Sequence, residues 1–145
     1  MWRELVAGAG SGAELRPPVR ETHIGEAERR LGHPLPSDLV ELLLETDGVV
    51  DSHGTSVVWS TGRITADNLA FRRSPSFARL YRPFGSLLFF GDNGGGDQFA
   101  FAVGRGGDGV FVWDHETDER CVVASSLEEY VRRSLEADAG DWYRQ

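Results

Sequence analysis

Four apolar runs between Ser86 and Ala124, joined by loops rich in Gly, Asp and His, limit the fold more than any other feature of the chain. Leu87–Phe90 is apolar at consecutive positions, the pattern of a central strand covered on both faces. Gln98–Val103 sets Phe99, Phe101 and Val103 alternately against Ala100 and Ala102. Val110–Trp113 and Arg120–Ala124 follow, with loops of hairpin-compatible length between the runs. The segment therefore reads as an antiparallel meander. Its loops also hold the densest cluster of polar side chains in the sequence.

Helical patterns lie on either side of these strands. Trp2, Leu5 and Val6 make a short amphipathic start. A flexible Ala7–Ala13 stretch follows, and then Pro17-Pro18, which stops any helix and extends the chain. Ile24, Ala27, Glu28 and Leu31 recur at helical spacing, predicting a helix over 21–31 with Gly32 as its left-handed stop. A second helix opens at Pro36 or Ser37, buries Leu39, Leu42 and Leu43 on one face, and ends at Asp47-Gly48. Thr55–Trp59 reads as the first strand. The stretch from Thr65 to Leu80 reads as partly helical, with Asp67 or Thr65 as its cap. Ser125 and Ser126 each precede a glutamate by three residues, a strong helix start. Leu127, Tyr130, Val131 and Leu135 give that last helix its apolar stripe. Helices at both ends and strands between them indicate an α+β fold, a meander sheet with the terminal helices packed on it. At 145 residues the chain reads as one domain, with residues 1–14 as a variable leading segment.

Charge and composition exclude several functions. The net charge is −8, which disfavours nucleic acid and anionic membranes as partners and favours a basic protein. All 15 basic residues other than histidine are arginine, so neither a Walker lysine nor a Schiff-base lysine exists. A single cysteine, Cys121, excludes an internal disulfide and suits a reducing compartment. No apolar run is long enough to span a bilayer, and no signal-peptide core follows Met1, so a cytoplasmic location is expected.

The candidate sites read as surfaces rather than as chemistry. The Gly91–Asp97 loop carries two carboxylates and no cation, so it repels phosphate, and its spacing lacks the alternating oxygen ligands of a calcium loop. Asp92 and Asp97 fit turn-forming hydrogen bonds to backbone amides. Asp114-His115-Glu116 with Asp118 reads as a solvated turn. Adjacent strand residues point to opposite faces and do not share a metal ion. Asp51-Ser52-His53 has neither relay spacing nor a nucleophile elbow. Cys121 is expected to be a buried, inert thiol. Arg72-Arg73, with Arg79 and Arg82 and with Phe71, Phe77 and Tyr81 interleaved, is the one basic patch; carboxylate pairing or snorkelling over the sheet explains it. Trp59 and Trp113 fit the core or its edge, and either would anchor an interface if exposed. No catalytic residue, cofactor site or metal site is assigned.

The order of motifs resembles the SUKH superfamily, which includes the yeast cell-wall assembly regulator and many bacterial immunity proteins. Leu15-Arg16-Pro17-Pro18 leads to Glu28-Arg29-Arg30-Leu31-Gly32 and Leu35-Pro36-Ser37-Asp38-Leu39. Asp47-Gly48, Val58-Trp59-Ser60, Ile64 and Asn68 follow. Pro83-Phe84-Gly85, Leu88-Phe89-Phe90-Gly91-Asp92, Gly96–Phe101, Val112–Glu116 and Ser126–Tyr130 complete the series. The resemblance implies a non-enzymatic α+β binding domain, acting as an immunity protein that neutralises a cognate toxin, with nucleases and deaminases among the toxin classes. Asp92, Asn93, Asp97, Asp114, His115 and Glu116, with Trp59 and Trp113, are the candidate contacts to a basic toxin. The alternatives are a regulatory scaffold or ligand-binding module and, more remotely, a small metal-dependent hydrolase.

Overall fold

Elements were assigned in a computed structural model that describes residues 1–9, 12–76, 87–103, 109–137 and 142–143. They run α1 (Trp2–Ala9), β1 (Glu14–Leu15), α2 (Glu21–Leu31), α3 (Ser37–Glu45), β2 (Val49–Val50), β3 (Ser56–Val58) and α4 (Thr61–Arg73). After these come β4 (Leu87–Asp92), β5 (Gln98–Ala102), β6 (Val110–Trp113), β7 (Arg120–Ala124) and α5 (Leu127–Glu136). The fold is α+β, as the element order in the sequence implies.

The meander forms a four-stranded antiparallel sheet in the order β4-β5-β6-β7, with Phe89, Ala100, Phe111 and Val122 aligned across it. A second sheet, β1-β2-β3, contains the strand expected at Thr55–Trp59 as β3, while β1 and β2 were not expected. Those two strands, of two residues each, are too short to show a period. β4 is buried on both faces as expected, but it heads its ladder instead of lying in the middle. Phe89 meets Phe71 of α4 edge-on at 5.4 Å, while Phe90 stacks on Phe101 at 4.5 Å and meets Tyr130 of α5 at 5.1 Å.

The outer edge of β4 is closed by two devices. The Trp59 N–H donates to the Phe90 carbonyl at 2.7 Å, joining the two sheets. The buried Asn68 amide then serves Phe89 as a strand would. Its Oδ1 accepts the Phe89 N–H and its Nδ2 donates to the Phe89 carbonyl, both at 2.8 Å. A side chain thus supplies the ladder bonds that a buried edge otherwise lacks. The seam admits no side chain at Gly91, where a Cβ would overlap the Val57 carbonyl and reach 2.8 Å from the Tyr130 hydroxyl.

Several local expectations need correction. The amphipathic start is helical as far as Ala9, inside the stretch expected to be flexible: Trp2 and Val6 of α1 are buried, and the N-terminal ammonium and Arg3 N–H both donate to Glu45. α4 starts four residues before Thr65 and is capped by Ser60, whose hydroxyl accepts the Arg63 N–H. Asp67 and Thr65 lie inside the helix, and residues 77–80 of the anticipated span fall outside the described residues. Cys121 is exposed, because β7 is the last strand of its ladder and Cys121-Val122 lies on its outer margin. Arg72 turns inward to the carbonyls of Leu31 and Leu87 and to His33 instead of pairing with carboxylates. Burial lowers the pKa of its guanidinium from the ordinary arginine range. Phe77, Arg79, Tyr81 and Arg82 of that patch lie outside the described residues.

The last helix is as the sequence predicts. Ser126 Oγ accepts the Glu129 N–H, Ser125 Oγ donates to Glu129 Oε2, and the predicted stripe is buried.

Candidate functional site

Three loops gather at one end of the sheets: residues 51–55 between β2 and β3, 93–97 between β4 and β5, and 114–119 between β6 and β7. Contacts at two glycines show how closely they pack. A Cβ on Gly94 would lie 3.1 Å from Thr55 Oγ1, and one on Gly96 would lie 2.8 Å from the His115 ring. Both glycines have positive φ, 81° and 111°, where a side chain adds strain. Each loop is also tied internally. Asp51 Oδ1 accepts the N–H groups of His53 and Thr55, so the Asp51-Ser52-His53 trio is a turn. Asn93 Oδ1 accepts those of Gly95 and Asp97.

The predicted contact residues divide into a buried frame and an exposed rim. Trp59 and Trp113 are 1 % and 6 % exposed, so neither is a surface anchor. Their indole N–H groups donate to Asp92 Oδ2 at 2.7 Å and Asp118 Oδ1 at 2.8 Å. Asp92 also accepts the Gly94 N–H and pairs with Arg63 at 3.2 Å. Asp118 takes Arg120 at 3.1 Å while sitting at φ 60°, a conformation aspartate tolerates better than most residues. Each tryptophan therefore holds an acidic residue that shapes a loop.

Asp97 is 1 % exposed, and its bonding exceeds a turn role. Oδ1 lies 2.9 Å from His115 Nδ1, and Oδ2 accepts the Tyr143 hydroxyl at 2.8 Å. Asn93 Nδ2 donates to the same Tyr143 oxygen at 2.7 Å. Asp114 and His115 lie in a turn, outside the alternating geometry of a strand, so both reach toward Asp97. Asp114 and His115 are neighbours within one loop, and the fold adds Asp97 from another. The outward rim consists of exposed Glu116 and Glu119 with partly exposed Asp51, Asn93, Asp114 and His115, while Asp92 and Asp118 are mostly buried in the frame.

Tyr143 and Arg63 are site residues that sequence reasoning missed. Tyr143 lies 46 positions from Asp97 in a segment without periodicity, so no local signal marks it. It packs edge-on to Phe99 at 5.3 Å, and Trp142 lies parallel to Phe99 at 6.2 Å with Arg133 over its ring. Beneath this end sits Tyr130, fully buried, donating to the Val57 carbonyl at 2.6 Å. Burial pushes its phenol pKa well above the ordinary tyrosine value.

An α+β body with a frame of paired polar residues beneath three loops is the class of small domain to which this chain belongs. Within that class the SUKH_6 family model, described as SMI1-KNR4 cell-wall, matches residues 21–131. The chain belongs to this family, within the SUKH superfamily. No curated protein matches the sequence. Helix α1 and the Trp142-Tyr143 pair lie outside the matched span, yet both pack on the core or the loop frame. Among the described residues, no helix is long and apolar enough to cross a membrane.

Proposed function

We propose that this protein is a non-enzymatic, cytoplasmic binding domain that neutralises a basic toxin by docking its three-loop end over the toxin's functional surface. The observation that carries the reading is the division of that end into a fixed frame and an acidic rim. Asp97, Trp59 and Trp113 immobilise the loops from below, so little conformational entropy is lost on binding. The rim carboxylates Glu116 and Glu119 are exposed and Asp51 and Asp114 partly so, on a chain of net charge −8, which steers a cationic partner. Family membership supports the reading, since its members as a group work by binding.

The test begins with capture of the partner from the native host at moderate salt. Association is then measured by stopped flow for the wild type and for the triple variant Asp114→Asn, Glu116→Gln, Glu119→Gln. Slower association at low salt, with a weaker salt dependence and unchanged stability, is the expected result. An unchanged on-rate removes the rim from the interface. The family description names the cell wall, which favours a regulatory binding module as the second reading. Capture of several housekeeping proteins in place of one basic partner would select it.

A further inference from the structure

We propose that Asp97, Asp114 and His115 form a binding site for a divalent transition-metal ion of the zinc class. One ligand-capable atom from each lies within 4.8 Å of the other two. One imidazole nitrogen with two carboxylate oxygens suits Zn²⁺ and its neighbours, whereas Ca²⁺ and Mg²⁺ prefer all-oxygen sets. His115 Nδ1 and Asp97 Oδ1 are already 2.9 Å apart. Two ligands bound tetrahedrally at about 2.0–2.1 Å from one zinc stand about 3.3 Å apart, so this pair is nearly in place. A ligand atom of Asp114 lies within 4.8 Å of both, so a small side-chain adjustment closes the remaining distance.

The surrounding residues support the donors as an outer shell should. Tyr143 holds Asp97 Oδ2 at 2.8 Å, which leaves Oδ1 facing the imidazole. The Glu116 N–H fixes Asp114 Oδ1 at 2.9 Å. Gly96 lies flush against the His115 ring, where any side chain would intrude. Glu116 Oε1 stands 3.9 Å from His115 Nε2. A metal held by Nδ1 leaves Nε2 on the side of Glu116. Two aspartates balance the dication, and water fills the fourth position on the solvent side. This site stands independently of toxin binding and concerns the protein alone.

The experiment titrates the whole chain, stripped with chelator, with Co²⁺ alone and then displaces it with Zn²⁺. The expected result is saturable one-to-one binding with the intense visible absorption of tetrahedral Co²⁺. Affinity should fall at least about tenfold in His115→Gln and in Asp114→Asn, and about tenfold in Tyr143→Phe. His23→Gln and His53→Gln should bind as the wild type does. His115 and Asp114 are half-exposed, so their variants test the site without relying on the buried Asp97. Absence of saturable binding in the wild type overturns the proposal. Undiminished binding in His115→Gln also overturns it, because the ion is then held adventitiously elsewhere.

Discussion

Replacing Asn68 with alanine should be among the most damaging single changes in this protein, although the residue is polar and sits on a helix. Its amide bonds both backbone groups of Phe89 on the outer edge of β4, and Asn68 is 1 % exposed. Asn68→Ala removes these bonds from one buried N–H and one buried C=O. Each hydrogen bond removed from a buried group costs about 1–3 kcal/mol, which gives about 2–6 kcal/mol in all. For a chain of this size that corresponds to a Tm lowered by roughly 5–25 °C. Urea unfolding followed by tryptophan fluorescence measures the change directly, with thermal melts as a second probe. The control is Asp67→Ala, one residue earlier on the same helix. That side chain makes only an exposed pair with Arg63, and its loss should cost less than about 0.5 kcal/mol. A loss below about 1 kcal/mol in Asn68→Ala, with an unchanged m-value, would refute the claim that the amide stands in for a strand.

Three further outcomes follow from the same geometry. Gly91→Ala should part β3 from β4, because the new methyl group overlaps the Val57 carbonyl; an expected loss above about 3 kcal/mol in urea unfolding checks this. Glu45 is raised by burial, but backbone N–H groups of Arg3 and Trp2 and the N-terminal ammonium outweigh that and hold its carboxyl below the ordinary value. Its folded pKa is depressed, so its contribution is present above the usual glutamate range (about 4.3) and fades as pH falls through the folded value. Stability measured against pH should therefore have a shallower acid limb in Glu45→Gln. Tyr130 has the opposite sign, since its folded pKa is raised. Its stabilisation is complete below about pH 10 and is lost as the unfolded chain ionises above that, so Tyr130→Phe should flatten the alkaline limb. A 295 nm titration in which Tyr130 ionises before unfolding would contradict this.

Local chemistry alone determined the elements with strong periods or caps. The 21–31 helix, its stop at Gly32 (φ 84°) and the Ser126 cap each depend on residues within one or two turns of each other. The four meander strands are legible for a similar reason, because short loops leave consecutive strands only one way to pair. The acidic character of the loops is likewise in the sequence itself. Tertiary structure decided which of those loop residues face solvent. Trp59 and Trp113 went inside because each indole N–H finds a carboxylate at the loop base. Asp97 went inside because His115 and Tyr143, 18 and 46 positions away, satisfy its two oxygens. Cys121 came outside because its strand ends the ladder. Strand order and partners brought together across tens of residues leave no period in the chain. A residue's type and its near neighbours establish what it can bond to, and only the fold establishes what stands opposite it.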